Sequence, residues 1–147
     1  MIKVLCVMKE KQSLSEVDKT KLYHVVFPTY GRLPLLVNPE QQQYVCTIVE
    51  EMIRFHTINI SAYKVLTDHV HLLVKKEPGQ SLPYIVKIVK GRTTHYFFQK
   101  YSDFKIDVGR SRLWAKGYHY TEIESERQLH VTTQYIKNNF DKYKNCK

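Results

Sequence analysis

The stretch Thr67-Asp68-His69-Val70-His71-Leu72-Leu73-Val74 alternates polar and apolar side chains with a period of two. Read as a β-strand, that period points His69 and His71 to one face and sends Val70, Leu72 and Val74 into a core. Side chains two apart on a strand are separated by roughly 7 Å at the backbone and lean parallel. Two imidazoles so placed can converge on one divalent cation. A histidine pair at this spacing also arises by chance. What favours a site is its setting, because a strand with one apolar face is the rigid support that a ligand pair needs.

On the N-terminal side of this strand, Ile58 to Leu66 reads as another strand and Thr67-Asp68 as the turn between them, so the two form a hairpin. Before it, Asn38-Pro39-Glu40-Gln41 opens a helix: Asn38 can cap, Pro39 suits the first helical position, and Gln41 can complete a capping box. Val45, Ile48, Val49, Met52 and Ile53 give this helix an apolar face ending near His56. Tyr23 to Tyr30, rich in aromatic and β-branched residues, is the first strand with Pro28 near its end. Gly31 to Val37 is then a loop carrying Arg32.

On the C-terminal side, Pro78-Gly79 breaks the histidine strand and Ser81 caps a second helix running to about Tyr101. Leu82, Ile85, Ile88 and Val89 form its core set, while Lys87, Lys90, Arg92 and Lys100 occupy the remaining surface. Such a basic surface is commonly only solvated; the charge of the whole chain favours phosphate contacts. Gly91 within this helix costs roughly 1 kcal/mol against alanine and leaves room for another backbone, or DNA, to approach. Ser102 to Arg112 is a polar loop whose Arg110 and Arg112 are further candidate phosphate contacts, or ordinary surface. Leu113 to Thr121 reads as a fourth strand with a tight approach at Gly117, its Trp114 a core residue rather than a base-stacking platform. Ser125-Glu126-Arg127-Gln128 is a capping box that opens the last helix.

The element order β-α-β-β-α-β-α specifies an α+β, ferredoxin-like (RRM-like) βαββαβ antiparallel sheet with an additional C-terminal helix. Residues 1–147 then make one domain: a charged lead-in over 1–20, the βαββαβ core over 22–123 and the terminal helix over 125–143. The histidine strand is central, and with both crossover helices on one face the other face is left open for a polar site. The 147 residues, 43% of them apolar, suit one compact core. Lys and Arg outnumber Asp and Glu by 23 to 14, a formal net charge of +9 that points to a polyanionic partner, most commonly nucleic acid. Cys6, Cys46 and Cys146 are odd in number and widely spaced, which argues against a disulfide framework or structural zinc and suits a reducing cytoplasm. The apolar opening Met1 to Met8 is too short for a signal peptide or a membrane span.

Leu129, Thr133, Ile136, Phe140 and Tyr143 form the packing stripe of the last helix, and Tyr135 and Asn139, four apart, lie on an adjacent face. Tyr135 is thus free to point away from its own core. With eleven tyrosines in the chain, composition alone makes any one of them a structural residue.

Four segments in register, Asp68-His69-Val70-His71-Leu72-Leu73-Val74, Lys90-Gly91-Arg92-Thr93-Thr94, Leu113-Trp114-Ala115-Lys116-Gly117-Tyr118 and Gln134-Tyr135-Ile136-Lys137-Asn138-Asn139, resemble the HUH single-tyrosine transposases of minimal, IS200-like insertion sequences. The resemblance runs from about Leu22 to Tyr143. It implies that His69 and His71 bind Mg²⁺ or Mn²⁺ and that Tyr135 is the nucleophile. That family places a glutamine one turn after the tyrosine as third metal ligand; here Asn139 offers the same amide oxygen on a stem one carbon shorter. The resemblance further implies cleavage and rejoining of single-stranded DNA bearing a hairpin, through a covalent 5′-phosphotyrosine, by a homodimer whose terminal helix serves the histidine site of its own subunit or that of its partner.

The residue types are consistent with that chemistry. A tyrosine ordinarily titrates near pH 10, and a metal on the scissile phosphate raises its electrophilicity. The resulting phosphotyrosine stores the bond energy for rejoining. Three other readings remain open at this stage: a domesticated relative that processes repeated hairpins, a non-catalytic RRM-like nucleic-acid-binding domain, and a metal-dependent hydrolase that needs no tyrosine.

Overall fold

The computed structural model describes residues 21–104 and 112–138. Seven elements follow one another: strand β1 (Lys21–Pro28), helix α1 (Pro39–Arg54), strands β2 (Ile60–Val65) and β3 (His69–Lys76), helix α2 (Leu82–Lys100), strand β4 (His119–Ile123) and helix α3 (Glu126–Lys137). The strands form one antiparallel sheet in the order β2-β3-β1-β4, with the histidine strand β3 inside it. This is the α+β arrangement expected from the element order. The charged lead-in, Phe140 and Tyr143 lie outside the described residues.

Side-chain chemistry at each helix start explains where the helices begin. Asn38 Oδ1 accepts from the Glu40 amide at 2.8 Å, and Ser81 Oγ accepts from the Tyr84 amide at 3.2 Å. Gln42 rather than Gln41 reaches back at the first of these starts, donating to the Leu36 carbonyl at 2.9 Å. At the third start Ser125 Oγ accepts from the Gln128 amide at 3.1 Å, and Gln128 Oε1 accepts from the Glu124 amide at 2.8 Å. The bonds to Asn38, Ser81 and Ser125 each satisfy an amide that helix geometry leaves without an intrahelical partner.

The sheet is covered on both faces. On one, Val25, Phe27, Val70, Leu72 and Val74 pack against the apolar sides of α1 and α2. On the other, Leu22, Ala62, Leu73 and Ile123 pack against Leu129 and Ile136 of α3. The face expected to be open is therefore partly roofed by the terminal helix. Its cause lies in Leu73, which shares a face with His69 and His71 and is fully buried. Apolar area left wet costs roughly 25 cal/mol per Å², so the four sheet side chains draw the amphipathic α3 onto them.

The fourth strand departs from expectation. Leu113 and Trp114 do not join the ladder; they form an isolated bridge to Thr29, with Tyr30 N donating to Leu113 O at 2.9 Å and Ala115 N to Pro28 O at 3.0 Å. The chain then turns at Gly117 (φ 79°) and re-enters the sheet at His119. No tight approach surrounds Gly117, where an added Cβ would meet open space; its positive φ is what requires glycine. What holds residues 113–117 off the sheet is α2: Trp114 Nε1 donates to Thr93 Oγ1 at 2.7 Å, and Lys90 Nζ donates to the Ala115 and Gly117 carbonyls at 2.8 and 2.6 Å. Strand β2 runs from Ile60 to Val65, within the expected Ile58 to Leu66, and its register with β3 shifts between Ile60 and Ala62.

Candidate active site

Strand β3 delivers His69 and His71 to the α3 face of the sheet, as its period requires. Their Nε2 atoms approach to 3.1 Å. His69 is turned by its neighbour, its Nδ1 standing 2.7 Å from Asp68 Oδ1. Asp68 is itself fixed by the residue that follows β1, since Thr29 N donates to the Asp68 carbonyl at 2.9 Å. With its Nδ1–H donated to the carboxylate, His69 presents an Nε2 lone pair to the space it shares with His71.

That donor set fits a divalent cation. The edge of an octahedron with metal–ligand bonds of about 2.1 Å is roughly 3.0 Å, close to the observed separation of the two nitrogens. Among the described residues no third His, Cys, Asp or Glu completes a metal cluster with them. Asn139 lies outside the described residues.

Tyr135 comes from α3. Leu129, Thr133 and Ile136 bury one side of that helix against the sheet, and Tyr135 falls beside them with 55% of its surface exposed. Its ring meets the His71 ring edge-on at 5.5 Å between centroids and the His24 ring at 6.1 Å. Phenol and imidazoles of one chain thus share one surface site, with the phenol accessible from solvent.

His24 was not singled out by sequence. On β1 it faces the same side as His71, its Nε2 is 3.0 Å from His71 Nδ1, and the two rings stack at 5.2 Å. The polar position inside the apolar strand Leu22–Phe27 was the one available signal.

Comparison with known proteins bears on what this site belongs to. The family model described as "Transposase IS200 like" matches residues 18–139. The chain belongs to the IS200-like transposase family. Curated relatives include the transposase of insertion sequence IS200 from Salmonella typhimurium, 24% identical over 113 residues that cover 76% of this chain and 73% of that protein. Another is the ISDra2 transposase TnpA of Deinococcus radiodurans, 26% identical over 120 residues, 82% of this chain and 84% of that one. Among solved structures, a transposase candidate from Deinococcus radiodurans R1 superposes with a TM-score of 0.63 at 27% identity, covering 82% of this chain and 92% of its own. A REP-associated tyrosine transposase bound to a REP hairpin shares the fold with a TM-score of 0.58 at 18% identity, covering 84% and 67%.

The basic residues of this transposase divide into three groups. Arg32, in a left-handed backbone conformation (φ 57°), sets its Nε 3.8 Å from Asp68 Oδ2 at the edge of the histidine site. Arg112 sets its guanidinium 5.5 Å from the centroid of the Tyr30 ring. Lys87 and Arg92 are exposed on α2, across the sheet from the histidines, in a shallow groove with Tyr84, Gly91 and His95. The Gly91 position opens on empty space. Lys90 is engaged in structure instead: besides its two carbonyl acceptors its ammonium lies 5.3 Å from the Phe27 ring centroid, and burial lowers its pKa. Arg110 lies outside the described residues. No helix among the described residues is long and apolar enough to cross a membrane.

Burial, reinforced by the neighbouring His69, His24 and Arg32, pushes His71 down to about 3, and burial lowers His24 as well. Both rings are therefore neutral at physiological pH and available as ligands or hydrogen-bond acceptors. The unfolded chain takes up a proton on His71 below the ordinary value near 6.5, while the folded chain does so only near 3. Stability is thus full above pH 6.5 and falls as the pH drops through that window. Going from pH 7.5 to 5 is expected to cost on the order of 1–2 kcal/mol, read as a lower urea midpoint. His71→Gln should flatten the dependence, and an equal pH slope in both proteins would contradict this account.

Proposed function

We propose that this transposase cleaves and rejoins single-stranded DNA at hairpin-bearing element ends, with Tyr135 as nucleophile and His69 and His71, joined by Asn139, as ligands of Mg²⁺ or Mn²⁺. The carrying observation is the solvent-accessible Tyr135 ring set 5.5 Å from His71, next to the paired Nε2 atoms. When bound, such an ion supplies polarisation of the scissile phosphate and helps align it.

The Tyr135 oxygen attacks phosphorus and gives up its proton, the bond to the 3′ oxygen breaks, and that oxygen leaves as a 3′ hydroxyl after taking up a proton. The product is a 5′-phosphotyrosine, whose energy suffices for rejoining when a 3′ hydroxyl attacks and frees the phenol. Asp68 holds His69 in the tautomer that exposes Nε2. Arg32 and Arg112 are suited to the phosphates flanking the reacting one, and the exposed Lys87 and Arg92 to a more distant part of the strand or its hairpin. The REP hairpin in the neighbouring tyrosine transposase supports a hairpin as substrate. The enzyme acts as a homodimer, and the placement of Tyr135 beside the histidines of its own chain favours each subunit using its own tyrosine.

The test uses hairpin-bearing single strands, labelled at either end, incubated with Mn²⁺ or Mg²⁺ and resolved under denaturing conditions. The 3′-labelled fragment is expected to travel with the protein and the 5′-labelled fragment to be released. His69→Ala should abolish both. Cleavage without an adduct would replace this reading by a hydrolase, and binding without cleavage by a non-catalytic RRM-like module.

A further inference from the structure

His24 is a neutral ring bonded to a ligand ring. We infer that His24 is a positioning residue that sets which nitrogen of His71 is free for the cation, acting as hydrogen-bond partner of His71 Nδ1. The inference rests on the metal reading proposed above and adds to it the group that makes the second imidazole a competent ligand.

The geometry leaves two settings for the hydrogens of this chain of rings. In both, His69 donates Nδ1–H to Asp68 at 2.7 Å, so its Nε2 is a lone pair. In the first, His24 Nε2–H donates to His71 Nδ1 across 3.0 Å and His71 Nε2–H donates to His69 Nε2 across 3.1 Å. That setting pairs every nitrogen from His69 Nδ1 to His24 Nε2, but it covers both lone pairs that a cation needs. In the second, His71 carries its hydrogen on Nδ1 and donates it to His24 Nε2. Both facing Nε2 atoms are then lone pairs.

Passing from the first setting to the second moves one hydrogen from Nε2 to Nδ1 on each of His71 and His24. Each ring keeps a single proton, so the exchange neither takes up nor releases protons. A cation between the two Nε2 atoms selects the second setting, and only a partner able to accept at His71 Nδ1 permits it without burying an unsatisfied N–H. His71 is 3% exposed, so water is poorly placed to substitute. Asp68 and His24 are thus matching outer partners, one for each ligand, and outer partners of this kind alter metal affinity by about 10- to 100-fold.

The pairing is invisible along the chain because His24 and His71 are 47 positions apart. The antiparallel register sets Val26 opposite His71 and Leu73 opposite His24, which makes the two histidines diagonal neighbours on one face. Diagonal pairs lie within reach of long or aromatic side chains.

The test compares the full-length wild type with His24→Leu, which fills the space but can neither donate nor accept, and His24→Gln, whose amide can do either. Mn²⁺ affinity is measured by calorimetry, and the His71 tautomer by nitrogen-15 NMR of the Zn²⁺-loaded protein. The expected result is a 10- to 100-fold loss of Mn²⁺ affinity in His24→Leu, substantial recovery in His24→Gln, and an Nδ1–H tautomer of His71 in the loaded wild type. If His24→Leu binds Mn²⁺ as the wild type does, if both variants lose affinity equally, or if His71 carries its hydrogen on Nε2 when loaded, the inference is overturned while the metal site stands. A wild type that binds no divalent ion overturns the metal reading and this inference with it.

Discussion

Tyr135→Phe is expected to lower covalent adduct formation by roughly 10³-fold or more, with the folded structure and hairpin affinity unchanged. The substitution removes one oxygen and keeps the ring whose edge meets His71 and His24. Because that ring is 55% exposed, the packing of α3 does not depend on the hydroxyl. The loss should therefore lie wholly in the chemical step: gel retardation of a hairpin strand and the thermal midpoint both match the wild type, while the denaturant-resistant band disappears. No solvent water should replace the phenol productively, because hydrolysis would not conserve the bond energy that rejoining requires. An adduct that persists in Tyr135→Phe would transfer the nucleophile to another of the eleven tyrosines and dissolve the site as drawn.

Trp114→Ala is expected to be the most damaging single change to stability, at about 3–5 kcal/mol for loss of a buried aromatic. Trp114 is 4% exposed, packs edge-on against Phe27 at 4.9 Å, and donates to Thr93 Oγ1. It also bridges to Thr29, the residue whose amide fixes the Asp68 carbonyl. The damage should therefore extend to the site, with weaker divalent-ion binding at denaturant concentrations where the protein is still folded. Trp114→Phe keeps most of the apolar area and loses one hydrogen bond, so about 1 kcal/mol is expected. Urea midpoints at neutral pH check both values, and an alanine variant within 1 kcal/mol of wild type would show that residues 113–117 are not anchored as described.

The segments that resemble the transposase family divide by role once the fold is known. The histidine and tyrosine segments meet at one surface. The segments around Lys90 and Trp114 meet each other: Thr93 receives the indole hydrogen, and Lys90 holds two carbonyls of the following turn. By sequence Lys90 groups with the phosphate-binding cations, because a lysine on a basic helix looks the same whether its ammonium faces solvent or a carbonyl. Distinguishing the two requires knowing which loop passes that helix. The fourth strand was misplaced for a related reason. Leu113 to Thr121 has the composition of a strand, and composition does not register that a tryptophan is drawn toward a helix while a glycine in the left-handed region breaks the extension.

Periodicity and capping residues were enough to place both histidines on one side of a strand, to locate the helix starts, and to set Tyr135 beside a packing stripe rather than within it. These are local properties, written in spacings of two, three and four residues. Tertiary structure alone decided which sheet side chains α3 covers beside the histidines, that Arg32 faces Asp68, and that His24 completes the row of imidazoles. Each of those depends on strand register and helix docking between residues far apart in the chain, where burial of apolar area, and not any local pattern, selects the neighbour.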